Sequence, residues 1–155
     1  DGDRMKWVTR ERPKIDRLAC PWLVLRFIDE SPEFLFVPPR DVLPTAERTG
    51  AIPFDVPGVE LSHVGERCSF DAFLDRYGLD EPALAHLAQI VRGADTTRIN
   101  LAPESAGLLA ISLGLARVLE DDHDLLRAGL TLYDGLYAWC RSAGSETHGW
   151  PPTAS

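Results

Sequence analysis

Three short apolar runs in the first sixty residues predict β-strands. Lys6–Thr9 consists largely of strand-forming residues, and Glu33–Val37 is a nearly continuous apolar run that prolines bound on both sides. Ala51–Val56 is a third candidate, but Pro53 lacks the N–H that a central strand needs, so this strand belongs at an edge or a bulge. Prolines crowd residues 31–60, so any helix in that region must be short.

Apolar positions at helical spacing indicate a largely buried first helix over Asp16–Glu30. The residues on that spacing are Leu18, Trp22, Leu25 and Ile28. Many neighbouring positions are apolar as well, which is typical of a helix that is buried on most sides. Pro21 leaves two starts open: either Pro21 is the first helical residue, or Asp16 caps an irregular first turn. Both alternatives place Arg17 and Cys20 near the helix N-terminus.

The second half of the chain contains longer helical periodicities. The predicted helices are Ser69–Tyr77, Pro82–Arg92, Pro103–Glu120 and about Asp122–Arg141. Ser69 is expected to cap the first of these, and Gly93 to end the second in the left-handed conformation. Residues 143–155 read as a polar, proline-containing tail. We therefore expect a single α+β domain over residues 1–155, mainly helical, with a small N-terminal β-sheet of about three short strands covered by four or five helices.

Composition excludes several classes of protein. The 155 residues are 45% hydrophobic and 26% charged, as in ordinary soluble domains, and no apolar run approaches the ~20 residues of a membrane span. The formal net charge of −8 repels phosphate backbones and anionic lipids, so we expect no direct nucleic-acid or membrane partner. Three cysteines without paired spacing fit a reducing compartment, which predicts a cytoplasmic protein. The sequence has no nucleotide-binding motif, so no nucleotide cofactor is expected.

The acidic chain nevertheless has a basic N-terminal segment. Six basic side chains lie between residues 4 and 17, namely Arg4, Lys6, Arg10, Arg12, Lys14 and Arg17. A strand end that leads into a helix N-terminus can bring Arg10 and Arg17 together, and guanidinium groups and free backbone N–H groups both suit tetrahedral oxyanions. The sequence thus predicts an anion site of Arg10, Lys14 and Arg17, with Arg12 as a further candidate. The alternative is that these side chains only pair with surface acids.

Two of the three cysteines are candidate reactive thiols. Cys20 follows Arg17 by three residues near a helix N-terminus, and both neighbours would favour a thiolate. Cys68 precedes the expected cap of a helix and could be exposed. Cys140 lies on the apolar stripe of the last helix and is expected in the core. The alternative for Cys20 is burial, because it flanks a hydrophobic helix.

His63 is the first candidate for a metal ligand. Histidine, cysteine and aspartate all bind transition metals, and His63 lies near Cys68 and Asp71 in the sequence. Their spacing matches no zinc finger, so a site for iron, manganese or zinc would need further ligands, such as Asp95 or the pair Asp122 and His123. The predicted metal ligands are His63, Asp71 and Asp95. In the alternative interpretation, His63 bonds to backbone in a loop, and Asp95 forms a turn or cap with the threonines that follow it.

A series of long segments, in order along the chain, is similar to one known protein family. The first segment is KWVTRERPKIDRLACPWLVLRFID, and the others are EFLFVP, GAIPFDVPGVELSHVGERCSFDAFL, IVRGADT, LAPESAGLLAISLGL, DDH and YDGLYAWC. These segments, which span essentially Lys6 to Trp150, resemble the bacterial chromate resistance protein family. Members of that family occur alone, as the C-terminal part of chromate-responsive regulators, and fused to sulfurtransferase domains. The resemblance implies chromate or a similar oxyanion as ligand, and a regulator or sulfurtransferase domain as partner.

Three hypotheses follow for the biochemical role, and the sequence leaves open whether the protein is an enzyme. In the first, a binding or sensing domain holds chromate, or a metal together with an oxyanion, through Arg10, Arg17 and His63, which match the family's basic motif and histidine. In the second, the predicted metal ligands form the centre of a metal-dependent redox enzyme that limits chromate damage. In the third, one of the two candidate thiols, Cys20 or Cys68, accepts sulfur or reduces chromate.

Overall fold

Three short parallel strands form a sheet near the N-terminus of this computed structural model, which describes residues 4–143 and Gly149. The strands are β1 (Lys6–Arg10), β2 (Glu33–Val37) and β3 (Ile52–Pro53), in the order β2-β1-β3. The pairing of β1 with β2 runs from Lys6 opposite Glu33 to Arg10 opposite Val37. β3 is shorter than the predicted Ala51–Val56, because Pro53 cannot donate a hydrogen bond to the ladder.

Six α-helices lie within residues 4–143. They are α1 (Asp16–Leu23), α2 (Val42–Thr49), α3 (Ser69–Arg76), α4 (Pro82–Asp95), α5 (Ser105–Val118) and α6 (Asp122–Ala138). Turns of π or 3-10 geometry adjoin three of them, at Val24–Ile28, Pro39–Asp41 and Trp139–Ala143. The predicted α+β class, mainly helical with a small N-terminal sheet, is confirmed. The predicted tail lies outside the described residues, apart from Ala143 and Gly149.

Successive residues of β1 pack into two apolar clusters, as the strand period of two requires. Trp7 is fully buried in the larger cluster, which also contains residues of α1, α3, α4 and α6. Val8 lies in the smaller cluster together with Val42 of α2. Helix α2 is eight residues long, in keeping with the expectation that the proline-rich segment allows only short helices. Among the described residues, none of the helices is both long enough and apolar enough to cross a membrane.

Helix α1 begins at Asp16 and continues through Pro21, so both predicted starts are wrong. Ile15, the residue before the helix, has a φ of 48°, and no side chain caps the first turn. Pro21 has no N–H to donate within the helix, and the helix changes to π geometry at Val24. Arg17 is therefore the second helical residue, close to the end of β1.

Gly93 lies inside α4 and does not end it, contrary to the prediction. A Cβ at this position would lie 2.3 Å from the Oγ of Ser105, so the glycine allows α5 to approach α4 closely. Helix α4 therefore continues to Asp95, beyond the predicted end at Arg92. The extra turn matters because it places Asp95 beside residues from the N-terminal half of the chain.

Candidate functional site

The carboxyl ends of β1 and β3 and the start of α1 meet at one corner of the sheet. β1 ends at Arg10, Asp55 follows β3, and Asp16 opens α1. Ligand sites often form at the carboxyl ends of parallel strands. Asp55 has a φ of 57° and Ile15 a φ of 48°, a conformation that residues with a side chain rarely adopt. Such strain is found where the surrounding structure fixes functional groups.

His63 brings three aspartates together in what we call the His63 cluster (Asp16, Asp55, His63 and Asp95). The Nε2 atom of His63 lies 3.0 Å from Oδ2 of Asp95. The same nitrogen lies 3.2 Å from Oδ1 of Asp55 and 3.5 Å from Oδ2 of Asp16. Asp16 and Asp55 are buried, whereas the His63 side chain is 39% exposed. The imidazole thus lies between three carboxylates and the solvent.

The start of α3 holds two of these carboxylates in place. The backbone N–H groups of Ser69 and Phe70 donate to Asp16, at 2.7 and 3.0 Å. The Ser69 hydroxyl donates to Oδ1 of Asp55 at 2.7 Å, and Ser69 is fully buried. The prediction that Ser69 caps α3 is wrong, because Cys68 occupies the cap position. As the first helical residue it positions both Asp16 and Asp55.

Burial and hydrogen bonding shift the protonation equilibria of the cluster. Loss of solvation raises the pKa of Asp16 and raises the pKa of Asp95 to about 8, and the neighbouring carboxylates add to both shifts. Burial opposes ionisation of Asp55, but hydrogen bonds from His63 and a serine hydroxyl hold the pKa of Asp55 below its usual value. Hydrogen bonds to Asp16 and Asp55 raise the pKa of His63 to about 10. His63 and Asp95 thus hold protons at neutral pH, and a cation bound at the cluster would displace them.

The two arginines of the predicted anion site meet at Asp55. Arg10 donates its Nε to the Asp55 carbonyl at 3.1 Å and its Nη2 to the Asp55 carboxylate at 2.9 Å. The Nε of Arg17 lies 3.5 Å from the same carboxylate oxygen. Arg17 also donates its Nη1 to the carbonyls of Arg10 and Glu11, at 3.1 and 2.9 Å. The structure therefore brings Arg10 and Arg17 together at one edge of the His63 cluster.

A pocket of about 300 Å³ opens beside this edge. Its lining residues are Arg10, Asp55, Val56, Pro57, Ser62 and His63. The side chains of Arg10 and His63 are 37% and 39% exposed, so both can reach a molecule in the pocket. Within residues 4–143, the Nη1 of Arg10 donates no hydrogen bond to the protein. The pocket thus offers a guanidinium donor and enough room for a small oxyanion.

The other two basic residues of the predicted anion site behave differently. The Lys14 side chain is half-buried and forms no hydrogen bond or ion pair within the described part of the chain. Arg12, which has a φ of 53°, pairs with Asp122 at 3.1 Å. Its guanidinium also donates to the backbone carbonyls of Ala116, Leu119 and Glu120. Arg12 thus ties the loop between β1 and α1 to the connection between α5 and α6.

Asp71, the third predicted metal ligand, lies in a separate ion pair. Arg92 donates its Nε and Nη2 to the two carboxylate oxygens of Asp71, at 2.9 and 2.7 Å. Asp71 also accepts the backbone N–H of Cys68 at 2.9 Å, which completes the capping box of α3. The structure therefore brings His63 and Asp95 together but leaves Asp71 with Arg92, because the third residue of α3 caps its own helix.

The thiols of Cys20 and Cys68 have no access to solvent. Burial raises the pKa of both thiols, and the charge of nearby Asp16 adds to the shift. The Cys20 thiol donates to Oδ1 of Asp16 at 3.4 Å. Cys140 is partly buried, and burial raises its pKa as well. Because reactive cysteines need exposure and a low pKa, the geometry gives no support to the hypothesis of a thiol mechanism.

Sequence reasoning missed two members of the cluster and the serine that positions them. The sequence offers two local signals for them: Asp16 directly precedes Arg17, and Asp55 lies within the candidate strand Ala51–Val56. Their meeting depends on the pairing of β1 with β3 and on the packing of α3 against α1. Hydrophobic periodicity does not reveal such tertiary contacts.

Comparison with known proteins identifies the family. The family model described as "ChrB, C-terminal domain" matches residues 7–140. The chain is 36% identical over 133 residues to Protein ChrB from Cupriavidus metallidurans, a match that covers 85% of this chain and 40% of that protein. The chain thus spans well under half the length of this relative. No solved structure matches the chain. Because the family model covers most of the sequence, the chain belongs to the ChrB C-terminal domain family, and the expected membership of the chromate resistance proteins is confirmed.

Proposed function

We propose that this domain binds a divalent transition metal ion at the His63 cluster and binds an oxyanion such as chromate beside it. The supporting observation is the convergence of three aspartates on one imidazole nitrogen, at 3.0, 3.2 and 3.5 Å. Oxygen and nitrogen ligands lie about 2.0–2.2 Å from a shared ion, and this places the ligands of one ion roughly 3.0–3.5 Å from each other. Ligand atoms of Asp16, Asp55 and His63 all lie within 4.8 Å of one another.

The ligand set favours iron, manganese or zinc in the divalent state. Carboxylates and imidazole suit these ions, whereas the softer copper(I) prefers sulfur. No thiolate is at hand, since burial keeps Cys20 and Cys68 protonated. The revised set of proposed ligands is therefore Asp16, Asp55 and His63, with Asp95 as the fourth.

Charge shows that a metal ion and an oxyanion are compatible at this site. Once a divalent ion has displaced the protons of the cluster, three carboxylates, the guanidiniums of Arg10 and Arg17, and a neutral imidazole sum to one negative charge. The ion changes that sum to one positive charge. The ion would supply electrostatic attraction for the anion, and Arg10 would supply hydrogen-bond donors at the pocket wall. A local site of this kind can bind an anion although the chain as a whole is acidic.

The metal part of the proposal is tested by calorimetric titration of the metal-free protein with Mn²⁺, Fe²⁺ and Zn²⁺, followed by elemental analysis. We expect about one ion per chain, and at least tenfold weaker binding in His63→Ala and Asp16→Asn. His123→Ala removes an exposed histidine outside the cluster and serves as the control, with unchanged affinity. Equal affinity in His63→Ala and in the control would exclude the site.

The anion part is tested on the metal-loaded protein by titration with chromate and with molybdate, a tetrahedral dianion that is harder to reduce. We expect Arg10→Ala to weaken anion binding without releasing the metal. Arg40→Ala, an exposed arginine in the turn before α2, is the matched control. Anion binding that is unaffected by Arg10→Ala would refute the assignment of the anion to this pocket.

A longer relative suggests how such a domain could act. The aligned region makes up only 40% of Protein ChrB from Cupriavidus metallidurans. We therefore infer that the domain works together with a further domain or partner protein, which responds to the ligand state of the site.

A further inference from the structure

Ser62 lies in the loop between β3 and α3, on the wall of the pocket beside the His63 cluster. The residue is only 8% exposed, yet neither its hydroxyl nor its backbone N–H forms a hydrogen bond with another described residue. Polar groups that are removed from water and left without a partner destabilise a fold. They are rare in native structures, and an ion bound in the pocket would explain these two.

We propose that Ser62 is a further binding residue for the oxyanion, and that its hydroxyl donates a hydrogen bond to an oxygen of the anion. Arg10 lines the same pocket and has a free Nη1 within the described part of the chain, so an anion in the pocket meets both donors. This inference rests on the proposed oxyanion site and adds a residue to it. Because the metal ion, the guanidinium and the hydroxyl each need an oxygen of their own, the ligand is an anion with several oxygens, as a tetrahedral oxyanion is.

The neighbours of Ser62 hold it in position. Leu61 is buried in the larger apolar cluster, and its carbonyl accepts the backbone N–H of Asp55 at 2.8 Å. On the other side, His63 lies 3.0 Å from Asp95. A group that is ordered before the ligand binds loses little conformational entropy on binding. Ser62 is therefore a preorganised donor, and it adds no charge to the site.

Ser62 also lines a second, larger pocket of about 480 Å³. The charged residues that line it are Glu60, Arg67, Asp71, Asp75 and Arg76. Arg67 pairs with Asp75 at 2.8 Å, and Arg76 pairs with Glu60 at 3.4 Å. More carboxylates than guanidiniums line this pocket, which disfavours an anion there, whereas the smaller pocket adjoins Arg10 and the proposed metal ion. The charges thus favour the smaller pocket as the place where the hydroxyl acts.

Two variants of nearly the same shape test the hydroxyl. Ser62→Thr keeps it, and Ser62→Val has a methyl group in its place. The full chain of each variant, loaded with Mn²⁺, is titrated calorimetrically with molybdate. We expect about tenfold weaker anion binding in Ser62→Val than in Ser62→Thr, because a hydrogen bond to a charged group is stronger than one between neutral groups. The affinity for Mn²⁺ should be the same in both, since neither substitution removes a proposed metal ligand.

Ser112→Val is the matched control. Ser112 is also a buried serine whose hydroxyl has no partner among the described residues, and it lies on α5. This variant should bind molybdate as the parent chain does, and a loss equal to that of Ser62→Val would overturn the proposal. Equal molybdate affinities of Ser62→Thr and Ser62→Val would overturn it as well. Weaker Mn²⁺ binding in Ser62→Val alone would show an effect through His63 and would also count against the proposal.

Ser62→Ala keeps the test valid if Ser62→Val does not fold, because alanine removes the hydroxyl without adding atoms to the buried loop. We expect it to bind molybdate about tenfold more weakly than the parent chain does, and the parent affinity would refute the role of Ser62. The Arg10→Ala variant separates this inference from the proposed function. If Arg10→Ala weakens molybdate binding and the Ser62 variants do not, only the role of Ser62 is refuted. A metal-loaded parent chain that binds no molybdate would refute the oxyanion site itself, and the role of Ser62 with it.

Discussion

Replacement of Gly93 by alanine tests how closely α4 and α5 must approach each other. A Cβ at this position would lie 2.3 Å from the Oγ and 2.9 Å from the Cβ of Ser105, so α5 would have to move outward. Alanine by itself favours the helix by about 1 kcal/mol. Overpacking costs about 1–3 kcal/mol, and loss of the buried hydrogen bond from the Ser105 hydroxyl to the Ile90 carbonyl (2.9 Å) costs about 1 kcal/mol more. We expect a net loss of about 1–3 kcal/mol of folding stability.

The same substitution in the neighbouring helix should have the opposite sign. Gly114→Ala meets nothing within 4 Å in the described structure, so only the helix propensity changes, and we expect a gain of up to about 1 kcal/mol. Urea unfolding followed by circular dichroism measures both variants. Because Asp95 lies two residues after Gly93, metal affinity should fall in Gly93→Ala alone. A stabilised Gly93→Ala protein would refute the steric argument.

Two further predictions concern the buried polar groups outside the His63 cluster. Asp71→Asn should lower the free energy of unfolding by about 2–3 kcal/mol at neutral pH, because Arg92 is left without a carboxylate. Burial opposes ionisation of Asp71, but the hydrogen bonds from Arg92 hold the pKa of Asp71 below its usual value. The stability that this ion pair contributes is therefore present above the pKa of the unfolded state, and it is lost as the pH falls through the pKa of the folded state. The difference between parent and variant in acid urea titrations should therefore be constant above about pH 5 and shrink below about pH 4. A chromogenic disulfide reagent should label Cys140 in the native protein but neither Cys20 nor Cys68. All three thiols should react in denaturant. Fast labelling of Cys20 or Cys68 in the native protein would contradict their burial.

Helices and strands can be predicted from the sequence where neighbouring residues determine their type and their ends. The run Glu33–Val37 is a strand over the predicted range, because bounding prolines and continuous apolar character leave few alternatives. The end of α4 is different. Gly93 is a strong local signal for a helix end, yet the close approach of Ser105 explains that glycine instead, and the helix continues to Asp95. A tertiary contact thus overrides the local rule.

The candidate site could be predicted only in part for the same reason. Arg10, Arg17 and His63 are recognisable because basic residues cluster in the sequence and histidine is rare. Asp16 and Asp55 become neighbours through strand pairing and through the start of α3, which no short window of sequence contains. Asp71 was predicted as a metal ligand, but its position in the first turn of α3 is also a capping signal. The structure shows the capping role.

The link from Arg12 to the α5–α6 connection has a consequence for the order in which the protein folds. Arg12 reaches Asp122 across 110 positions of the chain, while all members of the His63 cluster precede α5. The hydroxyl of Tyr133 in α6 also donates to the Ile15 carbonyl, at 2.9 Å, directly before Asp16. The loop that sets the position of Asp16 is therefore held by the last two helices, which supply none of the cluster's side chains. Closing such long loops costs chain entropy before the contacts repay it, so we expect the geometry of the proposed metal site to form only once the C-terminal helices have docked.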